Sequence, residues 1–248
     1  MKCFVNSCCL VLFGLLLFSA CQKEYYDESG THDAHFGGSI WEYLETRPEL
    51  FDTLQVALQV AGLDQVLHSE HVTFFAPTDQ CVLKSVWALN AYLYERGQDT
   101  ITSLKQVDPS VWRKFFSRYI LKGTYLAKDF PQLDTLNLSA FPGQGYVTYG
   151  NEDMNIGVLY NDVVTKNSDG TDQVIKYAGY RQLYLNYPFS SGNNTGVSYI
   201  PFVTAPVATS DIQPANGALH VLQFSKHAFG FLSYLFVQEA LAKGITTN

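Results

Sequence analysis

Helical periodicity and strand-like alternation occupy separate parts of this 248-residue chain, and that order constrains its fold more than any other feature. Between Ser39 and about Leu133, apolar side chains recur three and four residues apart. Leu50, Leu54, Ala57, Leu58 and Ala61 share one helical face, and Gly62 stands where a C-terminal cap belongs. Val82, Val86, Leu89 and Leu93 mark a second helix that stops by Gly97; Trp112, Phe115, Phe116 and Tyr119 form a core-facing aromatic stripe on a third. Ser39 with Glu42, and Thr46 with Glu49, have capping-box spacing, and Asp108 precedes a first-turn proline, Pro109. One strand, residues 72–75, interrupts the helices. Pro77 ends it, and Thr78 or Asp79 caps the next helix. Beyond Leu133 the chain turns β-rich. Strands are predicted over 147–149, 156–164, 174–177, 183–185, 203–209 and 218–224, with a hairpin turn at 167–170 and a loop at 189–196. Helices first and strands later, without alternating βα units, predict an α+β fold rather than a doubly wound sheet.

The first 36 residues read as an address. Met1 to Ala20 carries one charge, Lys2, and the eleven-residue apolar run at 8–18 is too short to span ~30 Å of hydrocarbon. It suits a signal-peptide core. Phe18, Ser19 and Ala20 before Cys21 resemble a bacterial lipobox, which implies a diacylglycerol on the Cys21 thiol and cleavage of residues 1–20. Acyl chains anchor stably because each buried methylene contributes ~0.8 kcal/mol. Residues 21–36 read as a flexible polar tether, whose Lys23, Glu24, Asp27 and Glu28 resemble an export signal for the outer face of a Gram-negative outer membrane. His32, Asp33 and His35 have no further ligand nearby for a metal. Four of the five cysteines lie at or before Cys21, so processing leaves only Cys21 and Cys81, and no disulfide framework. Loss of Lys2 takes the net charge from −7 to −8. That balance, with no basic run, argues against nucleic acid as the main partner and makes acyl chains the attachment rather than charge.

Three stretches together resemble the fasciclin-like domain. Thr73, Phe74, Phe75, Ala76, Pro77, Thr78 and Asp79 match its first motif, and Asn216, Gly217, His220 and Val221 its second. Ile40, Trp41 and Leu44, with a helix ending in Ala61, Gly62 and Leu63, resemble its entry, and Asp211 and Ile212 precede the second motif as in the family. The resemblance implies one domain over residues 37–226, with N-terminal helices packed on a twisted β-sandwich or wedge. An insertion at about 143–200 enlarges it, and a helical tail, 227–248, comes after it. It further implies a non-enzymatic surface module for adhesion or binding, without cofactors. The motif residues have structural readings: Gly217 allows a turn, and His220 shares a strand face with Leu222 and Phe224 as a hydrogen-bonded core histidine. The family's Tyr-His pair is absent, since Arg118, Tyr119 and Ile120 occupy that stretch.

No nucleophile elbow, zinc-protease motif, P-loop or dinucleotide fingerprint occurs. Cys81 reads as a half-buried cysteine, and His68 and His71 as a pair in the turn before the first strand. Asp52, Asp99 and Asp134 each open an Asp-Thr-aliphatic triplet resembling an envelope O-glycosylation motif, the first inside a helix. Two features suit a partner. Half of the 16 tyrosines (Tyr146, Tyr149, Tyr160, Tyr177, Tyr180, Tyr184, Tyr187 and Tyr199) fall within 57 residues and form a candidate binding surface for sugar rings or protein. The tail's Phe229, Phe231, Leu232, Leu235, Phe236 and Leu241 either pack back on the domain or meet a partner at the membrane. The expected ligand is an envelope protein or glycan; an outer-membrane transporter complex is the boldest form of that expectation.

Overall fold

The computed structural model describes residues 34–189 and 202–246. The signal segment, Cys21, His32, Asp33 and Tyr199 lie outside them.

Local rules place most helices. In α1 (Ile40–Glu45) the Ser39 hydroxyl accepts from the Glu42 amide while the Glu42 carboxylate accepts from the Ser39 amide, a complete capping box. The second predicted box does not form. Thr46 donates its hydroxyl to the Tyr43 carbonyl instead, and α2 (Pro48–Val60) begins at Pro48, which has no amide to satisfy. Phe51, Leu54 and Leu58 form the buried line of α2, which leaves Leu50 at its edge, 41% exposed. At its far end the Gly62 and Leu63 amides donate to the Gln59 and Leu58 carbonyls, with Gly62 at φ +63°. A short helix, α3 (Asp64–Ser69), occupies what the sequence reads as a turn and carries His68. Gly97 closes α4 (Asp79–Glu95) in the same way as Gly62 closes α2. Asp108 caps α5 (Pro109–Phe116) by accepting from the Ser110 amide at 2.8 Å.

The strands are β1 (His35–Phe36), β2 (Val72–Ala76), β3 (Ile120–Lys122), β4 (Gln132–Leu133), β5 (Gln144–Val147), β6 (Asp153–Tyr160), β7 (Val163–Lys166), β8 (Asp172–Ile175), β9 (Arg181–Pro188), β10 (Phe202–Pro214) and β11 (Gly217–Leu222). Among the described residues, nine build one mixed sheet in the order β3-β2-β11-β10-β9-β6-β4, with β1 on β10 and β5 on β6. β10 pairs with β9 over its first five residues and with β11 beyond. Register shifts after Val207 and Thr209 mark the change of partner; bulges of this kind bend a strand and curl its sheet. Helices on a curled sheet give the expected α+β fold.

Several boundaries move. His35 and Phe36, expected in the tether, pair in parallel with Gln213 and Pro214. The strand expected over 156–164 is two: Asn161 donates its amide to the Tyr180 carbonyl and Asp162 holds the Tyr177 amide, so the chain leaves the sheet there for the separate β7–β8 hairpin. The strand expected at 147–149 ends at Val147, and Thr148 to Asn151 turn instead. Within the stretch expected as an insertion, β5, β6 and β9 lie in the main sheet and β7 and β8 pair separately.

The tail completes the core. Its helix α6 (Ser233–Lys243) and the segment before it put Phe229 4.3 Å from Phe116 and Phe236 5.0 Å from Trp112, ring centre to ring centre, all four rings buried. The aromatic stripe of α5 needs this cover. Phe229, Phe231 and Phe236 of the tail are buried within the domain, whereas Leu232, Leu235 and Leu241 are half-buried.

Candidate functional site

The two motif strands lie side by side, with β11 parallel to β2 and Gly217 opposite Val72. A methyl group on Gly217 would sit 1.8 Å from the Val72 carbonyl oxygen, so only glycine permits this approach. Beside it, the buried Asn216 side chain accepts from the Ile40 amide at 2.7 Å and donates to the carbonyls of Leu67 and Glu70 at 2.9 and 3.1 Å. One amide thus ties the start of α1 to the end of α3. The Thr73 hydroxyl donates to the Gly123 carbonyl and accepts from the Tyr125 amide, each at 2.8 Å. His220 is buried against the Phe75 ring at 5.0 Å. Its Nδ1 accepts from the Asp211 amide, so the proton sits on Nε2 and is donated to the Tyr125 carbonyl at 3.0 Å. Burial holds this imidazole below its ordinary pKa, against the pull of the Tyr125 carbonyl and the Asp211 carboxylate. Val221 pairs with Ala76.

The start of α4 departs from expectation. Thr78 stands at the cap position, but its hydroxyl makes no cap bond and lies 3.7 Å from the Cys81 sulfur. Asp79 reaches across to α2, accepting from the Leu54 amide at 2.8 Å; burial raises its carboxyl above the usual range while the amides of Leu54, Thr53 and Asp52 oppose that shift. Cys81 is fully buried, not half-buried, and burial pushes its thiol up, away from a nucleophilic thiolate. His68 packs 5.5 Å from Trp41 within α3, whereas His71 lines a cavity with His35 at β1. Of the three Asp-Thr-aliphatic triplets, Leu54 and Ile101 are buried, whereas Leu136 is 97% exposed.

Among the described residues, the candidate tyrosines stand in different settings. Register puts Tyr187 on the core-facing side of β9 with Leu183 and Leu185, and Tyr184 on the other side. Tyr146 packs on Tyr125 and Phe130, and Tyr160 lies under the Arg181 guanidinium. Tyr177 donates to Asp134 near the hairpin, while Tyr180 is exposed. Tyr149 adjoins a polar groove. There Ser110, Arg113 and Lys114 on one face of α5, with Ser117 just past its end, look across at Tyr149 and Glu152 in the β5–β6 turn, around about 350 Å³. Arg113 donates from Nη1 to the Ala61 and Gly62 carbonyls, Glu152 accepts from Arg118 at 2.9 Å, and Tyr149 donates to Glu70 at 3.0 Å. Sequence reasoning missed this groove, because its two sides are more than 30 residues apart; the aromatic stripe of α5 hid the polar stripe behind it.

Tyr119 makes a contact the sequence did not suggest. Its hydroxyl accepts from the Gly230 amide at 2.7 Å and donates to Nε2 of His227 at 2.9 Å. Burial pushes the His227 imidazole down to about 3.

A family model described as fasciclin domain matches residues 49–179, more than half of the chain. The first motif lies inside that span and the second beyond it. No curated protein matches. Among solved structures the chain is similar to a pair of FAS1 domains from the insect cell adhesion molecule fasciclin I, with 14% identity and a TM-score of 0.42, covering 81% of this chain and 52% of that one. The chain therefore matches about half the length of that domain pair.

Proposed function

The chain belongs to the fasciclin domain family, and on that premise we propose that it is a lipid-anchored adhesion module displayed at the outer membrane of a Gram-negative envelope. Fasciclin domains are generally cell-adhesion or surface-binding modules, typically extracellular or surface-associated, and the family is generally non-enzymatic. Among the described residues no helix is long and apolar enough to cross a membrane. The observation that carries the reading is how the motif side chains are used. Asn216, Thr73, Asp79 and His220 all bond to backbone groups of their own domain. Residues so occupied hold a scaffold together; function then falls to its surface. Attachment rests on Cys21 and the small residues before it.

Metabolic labelling with an alkyne fatty acid tests the anchor. The native chain takes up label and fractionates with outer membranes, and Cys21→Ser loses both properties. An unlabelled native chain, or one shielded from protease on intact cells, overturns the reading. In this reading the partner is an envelope protein. A nutrient transporter is tested by copurification in mild detergent, where recovery of the chain alone counts against it. A second reading, glycan binding, is favoured by the Tyr149 groove.

A further inference from the structure

We propose that the groove between α5 and the β5–β6 turn binds a saccharide, an inference that rests on the second reading, glycan binding, and gives it a site of named residues. The groove faces a ligand with a carboxylate, Glu152, and with two cations, Arg113 and Lys114. Glu152 is already paired with Arg118 at 2.9 Å and Lys114 with Glu239 at 2.6 Å, so neither offers a bare charge to a simple ion. Hydroxyl groups donate and accept at once, so a polyol satisfies both sides. The half-buried Tyr149 ring, with the Lys122 ammonium 5.6 Å from its centre, adds the aromatic contact that a sugar's C–H face requires.

The site is built from behind. Arg113 is fixed by the last carbonyls of α2, Tyr149 by Glu70, and Glu152 by Arg118. Arg118 is itself only 5% exposed, its guanidinium 4.5 Å from the Phe115 ring centre and 4.8 Å from that of Tyr187. A buried, stacked guanidinium cannot follow solvent, so the Glu152 carboxylate is held before a ligand arrives. The turn is equally fixed: a methyl group at Gly150 would come within 2.8 Å of Ser117 Cβ. Polar groups held in place lose little freedom on binding, which is what a weak hydroxyl-recognising site needs.

The test titrates the full chain, purified in mild detergent, against an immobilised panel of neutral and uronic-acid oligosaccharides. Tyr149→Ala and Glu152→Gln probe the groove, and Tyr180→Ala serves as a surface control. The native chain and Tyr180→Ala should bind the same saccharide equally, with each groove variant weaker by roughly tenfold or more. No binding across the panel, or binding that both groove variants leave unchanged, overturns the site. Near-UV circular dichroism checks the fold, and Glu152→Gln, which keeps an acceptor for Arg118, carries the test should Tyr149→Ala unfold. Loss of labelling or of surface exposure with saccharide binding intact strikes the anchoring reading and leaves the groove standing.

Discussion

The β2–β11 pair and the β6–β9 pair belong to one sheet but solve the problem of polar side chains differently. In the first, Thr73, Asn216 and His220 spend their hydrogen bonds on backbone groups, some more than 100 residues distant. In the second, the half-buried Asn155 and Gln182 also reach carbonyls, of Pro142 and Val207, but the buried Asn186 donates to the Asn155 side chain and its own oxygen has no partner. A backbone group cannot move away from its partner without moving the chain, so bonds to it specify the fold. Bonds between side chains leave the strand path to hydrophobic alternation, which Leu183, Leu185, Ile156 and Val158 provide. The motif strands act as a joint and the outer strands as a tolerant surface.

Gly217→Ala should break that comparison most severely. Its new methyl group cannot coexist with the Val72 carbonyl 1.8 Å away, and the parallel register leaves neither strand free to yield. The expected cost exceeds about 4 kcal/mol, enough to consume most of a domain's stability. Soluble yield and a thermal melt check it; a cooperative transition near the native temperature would show that the joint is softer than its geometry. Asn216→Ala comes next at about 3 kcal/mol, since it strands one amide and two carbonyls at the junction of α1 and α3. A urea titration measures it.

The buried histidines add a pH dependence whose sign can be worked out. His220 and His227 are both held neutral by burial, so their folded pKa values lie below the unfolded value of about 6.5. As pH falls through about 6.5 the unfolded chain takes up protons that the folded chain refuses until about 3 at His227. Stability is therefore complete near neutrality and falls in acid, by up to about 1.4 kcal/mol per pH unit for each histidine. Asp79, raised by burial, works the other way just above its ordinary value of 3.8. The urea midpoint should fall between pH 7 and pH 5, and His227→Gln should reduce that slope while lowering stability at pH 7. An unchanged slope would mean that His227 does not reach the acid limb neutral.

Much of the joint was legible in the sequence, because caps, glycine stops and helical stripes are local. Ser39, Gly62, Gly97 and Asp108 act where their spacing predicts. The motif strands were legible through resemblance, and His220 as a hydrogen-bonded core histidine, although the tasks of Asp79 and Asn216 were not: Asp79 acts 25 residues away on Leu54, and Asn216 acts 176 residues away on Ile40. The outer strands were less legible. Whether a tyrosine faces the core depends on register, and register there is set by β10 changing partner at its bulges. The break at Asn161 and Asp162 was hidden for a similar reason, since apolar and β-branched residues continue on both sides of it. The same limit concealed the groove at Tyr149, whose two walls meet only in the folded chain.

The smallest effect should come from the β7–β8 hairpin, which pairs outside the main sheet. Gly170 in its turn has φ +83°, and a methyl group there would meet nothing within 4 Å. Gly170→Ala therefore introduces backbone strain of about 1–2 kcal/mol without any steric clash. In the joint, a defect of that size would lower the whole unfolding free energy. Here the strain can be relieved by opening the hairpin alone, since most of the Val163–Lys166 and Asp172–Ile175 side chains are exposed and release little apolar surface from the core. Amide exchange should quicken at Val164 and Val174 while the melting temperature shifts by no more than about 2 °C. A drop in melting temperature as large as that of Asn216→Ala would show that the hairpin is coupled to the sheet, and the division between joint and surface would have to be redrawn at Asn161.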